Sequence, residues 1–388
     1  MQRYFSSRLI ARAERYQRLL GLLWLLHVLA VVVTLAVLAR RAPRLTRSIG
    51  LGPIGTGVIL AMVMLVTLWF VTLPFGFVEQ WWAARHGLAP HDYLSWIVAP
   101  WATLTFEAVY ALLVVVVVMS LAAKLGERWW LAAVPVFAAL ALGFTLLGGY
   151  VVRIGTHRLD DSRLRAAVAT LEQREDVRGT RVSVQDVGDV TNQPNAFAAG
   201  VGPSANVVIW STLLDGRFDD AEVRVVIAHE LGHVAHRHVL KTVGWSALLA
   251  LPLAWLVTLA TRHRGGLAEP ASLPVALLAL VVLGIVAAPI ENAVSRRYEA
   301  EADWSALRAT HDPAATTKLF QAFARLSLQE PNPSLLDYLW LENHPTLAQR
   351  VQMAQRFAST PSSNTRRLLA RDHAARCRVL GRPNSCSY

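Results

Sequence analysis

Charge is scarce in this chain. Only 17% of its 388 residues are Asp, Glu, Lys or Arg, against about 25% in an average soluble domain, so a disordered chain and an ordinary soluble globule are both poor fits. Lysine is nearly missing. Lys124, Lys241 and Lys318 are all of it, and arginine supplies every other basic residue, as a GC-rich, bacterial coding sequence would give. Cysteine is limited to Cys377 and Cys386, in a polar, arginine-rich tail without CxxC spacing, which leaves no framework for a disulfide-stapled scaffold. Acidic residues are outnumbered 27 to 38, for a net charge of +11. The arginines are spread over loops and termini instead of one folded face, so no nucleic-acid partner is expected.

What the chain has in abundance is apolar length. Hydrophobic residues make up 54% of it, and six stretches approach the roughly 20 residues a helix needs to cross a bilayer: 19–39, 54–77, 100–123, 129–152, 243–260 and 271–290. A lipid bilayer is the implied environment, and the fold expected is mainly α, a multi-pass membrane protein with about six transmembrane helices. Arg3, Arg8, Arg12, Arg15 and Arg18 precede the first stretch and Arg40 and Arg41 follow it, which reads as a retained anchor rather than a cleaved leader.

These stretches divide the chain. Four spans occupy 1–152, a polar segment 153–242 follows, a two-span hairpin fills 243–290, and a second polar segment, 291–358, leads into a basic tail, 359–388. Within the first polar segment, Asp160 and Asp161 open an amphipathic helix running to about Glu172. Strands are expected over 181–187, 196–201 and 206–213, the last reached through the turn residues Gly202, Pro203 and Ser204. Four spans, an even number, put the N-terminus and the first polar segment on one side, and two more return the second segment to it. The distribution of Arg and Lys around the spans predicts that this side is the cytoplasm, in a bacterial inner membrane.

The chemistry is carried by His229-Glu230-Leu231-Gly232-His233, on a helix that Asp219 caps with Glu222 completing the capping box. Residues four apart share a helical face, so both imidazoles can reach one Zn²⁺ per chain while Glu230 aims at the water to be activated. His236 and His238 continue the same helix and are left outside the metal shell. A catalytic zinc needs a third protein ligand. Glu299 is the candidate, with Asp303 one turn on placed to accept the free ring N–H of a liganding histidine. Taken alone, that segment reads better as a solvated helix whose Glu299 and Asp303 pair with Arg296 and Arg297; beside the HExxH pattern, the preference reverses to the metal reading.

With these residues in hand, the chain resembles the gluzincin family that contains the type I CAAX prenyl endopeptidase and the heat-shock membrane protease HtpX. Asn195-Ala196-Phe197 and the segment from Val207 to Leu214 look like that family's edge strand and following strand. Ser295 to Asp303 matches its second zinc segment, and Asn343-His344-Pro345 with Arg350 matches a third that lines the active site. Four spans before the zinc helix, and Leu73-Pro74-Phe75 through Glu79 to His86-Gly87, favour the CAAX branch. Trp210-Ser211, where an aromatic-Asp pair is common, and six spans instead of the seven of the eukaryotic enzymes are departures that bear on substrate.

The resemblance implies a zincin-like catalytic domain with a small β-sheet, and a zinc metalloendopeptidase in which Glu230 is general base. It implies that His344 stabilises the oxyanion, that Arg350 orients substrate or its loop, and that Asn195, Ala196 and Phe197 bind substrate. Its substrate would be a peptide or protein, lipid-modified or membrane-bound. An HtpX-like quality-control protease is the alternative; a non-catalytic protein with a structural zinc would have no need of Glu230.

Overall fold

The computed structural model describes residues 3–98 and 101–359; Cys377, Cys386 and the basic tail after Ser359 lie outside the described residues. Four long apolar helices come first: α1 (Ser7–Arg47), α2 (Pro53–Arg85) and, after the short α3 (Tyr93–Val98), α4 (Trp101–Leu125) and α5 (Trp129–Val151). A mixed segment follows: β1 (His157–Arg158), α6 (Ser162–Arg174), β2 (Arg181–Gln185), β3 (Ala196–Ala199), β4 (Asn206–Trp210) and α7 (Asp220–Ala235). Then α8 (His238–Thr261), α9 (Leu273–Thr310), α10 (Pro313–Leu326), α11 (Leu335–Trp340) and α12 (Leu347–Ser359) complete the chain.

Five helical stretches are long and apolar enough to cross a membrane by length and composition, one fewer than the sequence suggests. The difference lies in Leu104–Gly155, a continuous helical stretch of 52 residues that joins α4 to α5 through a single 3-10 turn. The chain nevertheless reverses there, at Gly126 with φ +56°. Phe144 of α5 meets both Phe106 and Tyr110 of α4, at ring distances of 5.7 and 5.4 Å, so the two helices lie antiparallel.

The apolar helices turn side chains both ways. Leu35, Leu38, Leu60, Met64, Met119 and Val257 are buried in one cluster between them. Leu25, Leu29 and Val33 of α1 and Val66 and Phe70 of α2 stay more than half exposed or nearly so. Soluble proteins seldom expose such contiguous apolar surface, whereas hydrocarbon covers it at no cost.

The catalytic half has its own core. In α6, Asp161 Oδ1 accepts from the N–H groups of Arg163 and Leu164 at 2.7 and 3.0 Å, a cap worth about 1 kcal/mol, and Leu164, Val168 and Leu171 recur on one face and are buried. They pack with Val184, Val207 and Ile209 of the sheet, Ile227 and Leu231 of α7, and Leu319 and Phe320 of α10. Phe5, from ahead of α1, is buried in the same core. The four strands run in the order β1-β2-β4-β3, with β2 and β4 parallel and the outer pairs antiparallel. β3 is therefore an edge strand, registered Phe197 to Val208 on β4. Gly149 near the end of α5 rests against the loop after β3: any Cβ there would run into the Ser204 carbonyl.

No break marks residue 291. α9 runs on as one helix, so the same rod that crosses the apolar layer delivers the ligand segment to α7.

Candidate metal centre

α7 starts on the expected box. Asp219 Oδ1 accepts from the Glu222 N–H, and Glu222 Oε2 from the Asp219 N–H, both at 2.8 Å. Gly232, inside the HExxH pattern, lets α7 pack tightly on α9: a Cβ there would sit 3.2 Å from Ser305 Cβ and 3.4 Å from Ala302 Cα. That approach lets a carboxylate on α9 reach two imidazoles on α7.

The structure brings His229, His233 and Glu299 together, and among the described residues they are the one group of three whose ligand atoms all lie within 4.8 Å of one another. His229 Nε2 is 3.0 Å from His233 Nε2; Glu299 Oε2 is 3.2 Å from the first and Oε1 is 3.3 Å from the second. Atoms about 2.1 Å from one tetrahedral ion stand roughly 3.4 Å apart, so the spacing fits a small divalent metal. Glu299 Oε2 is buried, with the Nε2 atoms of His229 and His344 each at 3.2 Å but no hydrogen bond of good geometry, which fits an oxygen whose partner is a cation.

Asp303, one turn beyond Glu299, lies 2.9 Å from His229 Nδ1. An Nδ1–H donated to that carboxylate leaves the Nε2 lone pair facing the cluster. Arg350 grips Asp303 from the other side with Nε and Nη2 at 2.7 and 2.5 Å and lies over the Phe320 ring at 4.1 Å. Removing the arginine would strand a buried carboxylate, at a cost of roughly 3–5 kcal/mol. The guanidinium thus acts on Asp303, rather than standing free in the cleft.

Glu230 is 7% exposed. Burial pushes its carboxyl up to about 7, His229 opposing and Glu299 adding, which suits proton exchange near neutrality. The Ala198 N–H of β3 faces it. His344 approaches Glu299 Oε2 through Nε2 at 3.2 Å while Nδ1 lies 2.6 Å from Asn343 Oδ1; its side chain is 41% exposed, open to a ligand. Asn195, Trp210, Gln329, His344 and Arg350 line a cavity of about 400 Å³. Asn195 leads directly into β3, its carbonyl accepting from Trp210 N–H at 3.0 Å, and Ala196 and Phe197 are half-buried on that strand.

One expectation fails locally. His236 and His238 do not continue the motif helix: α7 ends at Ala235, Arg237 takes a left-handed conformation at φ +54°, and His238 opens α8. On an unbroken helix His238 would point about 140° away from His233; the break instead lays its Nδ1 3.0 Å from His233 Nδ1, with Nε2 3.1 Å from Glu301 Oε2. No glycine or proline announces that break, so sequence gave no signal for the contact.

Comparisons with known proteins agree with this geometry. Residues 158–358 match the model of peptidase family M48. The chain is 25% identical over 324 residues to the uncharacterized metalloprotease YhfN of Bacillus subtilis, covering 79% of this chain and 74% of that one. It is 32% identical over 212 residues to a protease HtpX homolog of Acidiphilium cryptum, covering 50% and 72%. The crystal structure of S. mikatae Ste24p shares the fold at a TM-score of 0.74 and 18% identity, over 89% of this chain and 88% of the other. With a metal-ligand cluster between α7 and α9 and a layer of apolar helices beside it, the chain belongs to peptidase family M48 as an integral-membrane metallopeptidase.

Proposed function

We propose that the metal is zinc, one ion per chain held by His229, His233 and Glu299, and that the enzyme cleaves peptide bonds in lipid-modified proteins at the membrane surface, in the manner of the CAAX-type proteases. The observation that carries this reading is the placement of Glu230 between the ligand cluster and edge strand β3, with the Ala198 N–H facing it. A peptide added to β3 would lie beside the metal through main-chain hydrogen bonds. The Gly149 contact sets that strand against the end of a membrane helix, where a lipid-anchored chain terminus would arrive.

When bound, zinc supplies Lewis acidity, polarising the scissile carbonyl and acidifying the attacking water. Glu230 takes the water proton as the oxygen adds to the carbonyl carbon. The same carboxyl then gives that proton to the leaving nitrogen as the C–N bond breaks. His344, exposed beside Glu299, donates to the developing oxyanion from Nε2 in the tautomer that holds its proton there, with the Asn343 amide turned to offer N–H to Nδ1. Asp303 and Arg350 hold His229. Asn195, Ala196 and Phe197 hold substrate backbone. Nucleic acid has no place in this scheme, since Arg350, among the described residues the one arginine lining the cleft, is already paired with Asp303.

A broader quality-control activity is the second reading, supported by the 32% identity to an HtpX homolog. A prenylated peptide and its unlipidated twin separate the two: the CAAX-type reading expects the prenylated peptide to be cleaved far faster, and equal rates would favour the broader one.

The catalytic side is assigned to the cytoplasm of a bacterial inner membrane. Burial of Phe5 in the catalytic core supports a shared side for the N-terminus and the site, and the arginines before α1 support the inner face. Single cysteines at Ser162 and Ser359, in a Cys377→Ala, Cys386→Ala background, should label only after permeabilisation. Ready labelling of both in intact cells would invert this topology.

A further inference from the structure

The two liganding histidines are buttressed unequally. His229 has Asp303 directly on Nδ1, itself clamped by Arg350. His233 has no carboxylate of its own; its Nδ1 meets the Nδ1 of a third histidine, His238. Two imidazole nitrogens at 3.0 Å share one proton, and its position is decided by what each ring faces on its other side.

We propose that Glu301 and His238 form a second positioning chain that sets the tautomer and orientation of His233; this rests on the reading of His229, His233 and Glu299 as metal ligands. His238 Nε2 lies 3.1 Å from Glu301 Oε2, and a carboxylate requires a donor there, so Nε2 carries the His238 proton. His238 Nδ1 is then an acceptor and takes the His233 Nδ1–H. That leaves His233 Nε2 unprotonated, its lone pair toward His229 and Glu299. The opposite order would set a bare imidazole nitrogen against a carboxylate and put a proton on the ligand atom, defeating both ends of the chain.

The surroundings hold this geometry. The His238 ring is 3% exposed and stacks on Tyr298 with centroids 4.6 Å apart and planes within 12°. Glu301 is kept in place from the solvent side by His236 Nδ1 at 3.3 Å and Lys241 Nζ at 3.8 Å. Glu299, Glu301 and Asp303 are alternate residues of α9: the outer two face α7, and Glu301 reaches the start of α8. The break at Arg237 is what completes the chain, by turning His238 back onto His233. His238 touches neither substrate nor the ligand cluster's open side, and it acts through His233.

Two substitutions separate this role from simple packing. His238→Phe keeps a buried ring and the Tyr298 stack but offers no acceptor. His238→Asn gives up the ring yet sets a carbonyl oxygen near the position of Nδ1, with an N–H₂ toward Glu301. The measurement is zinc affinity of the full-length, detergent-solubilised chain by competition with a chromogenic chelator, alongside the melting midpoint of the metal-free protein. Outer partners of metal ligands are typically worth roughly 10–100-fold in affinity. His238→Phe is expected to lose that much with its metal-free melting point held, and His238→Asn to recover most of it. Wild-type zinc affinity in His238→Phe, or an equal loss in both variants, overturns the chain. Glu301→Ala, at a 40% exposed side chain that tolerates truncation, tests the outer link if the buried variants fail to fold: roughly tenfold weaker zinc binding is expected, and unchanged affinity overturns it. A wild-type chain that takes up no zinc would sink the ligand reading itself, a result distinct from all of these.

Discussion

Glu230→Gln is expected to leave the chain folded and metal-loaded while lowering kcat on a peptide substrate by roughly 10²–10⁴-fold, the range for removal of a general base. Glutamine has the same shape, so the packing of a side chain only 7% exposed is kept, and the Ala198 N–H still finds an oxygen. What is lost is the ability to take a proton. Burial sets that carboxyl to exchange protons near neutrality, and an amide at the same place cannot. Glu230 is one residue round the helix from His229 and outside the cluster of ligand atoms, so zinc content should not follow activity down. The loss should fall on kcat rather than KM, because β3 and the cleft are untouched. Full activity in a folded variant, or loss of zinc in step with activity, would remove Glu230 from the role of base.

The legible parts of this molecule share a property: each is encoded by neighbours in sequence. The HExxH pattern is one turn of one helix. Glu299 and Asp303 are one turn of another, Asp161 caps the helix it precedes, and the three longer strands show as an alternating run, a short apolar run and a β-rich run. The apolar stretches were visible because hydrocarbon selects for length without polarity. The two-residue β1 was too short to leave a pattern.

What stayed hidden depends on chain segments meeting. Arg350 reaches Asp303 across 47 residues, and nothing in the spacing says whether an arginine lines a cleft or clamps a carboxylate. Gly149 looks like any small residue in an apolar helix until Ser204 is laid against it. The break at Arg237 is made by an ordinary side chain in a left-handed conformation, against its local preference, so the contact between His238 and His233 could not be foreseen. The α4–α5 reversal, by contrast, shows in the sequence as two apolar stretches, 100–123 and 129–152; its turn is itself helical and joins the two antiparallel rods into one continuous stretch.

The metal content of purified wild type and Glu299→Ala tests the central claim most directly. Glu299 contributes the one anionic ligand of the proposed set, from a buried oxygen that makes no hydrogen bond of good geometry, and alanine there leaves two neutral imidazoles facing a doubly charged ion. Structural zinc sites bind with roughly 10–16 kcal/mol over four ligands, so losing one ligand should weaken binding on the order of 10²–10³-fold. The prediction is one zinc per chain in the wild type, the same in Glu230→Gln, and loss of most of it from Glu299→Ala on dialysis against a mild chelator. Full zinc occupancy in Glu299→Ala would contradict the account and show that the third ligand lies elsewhere.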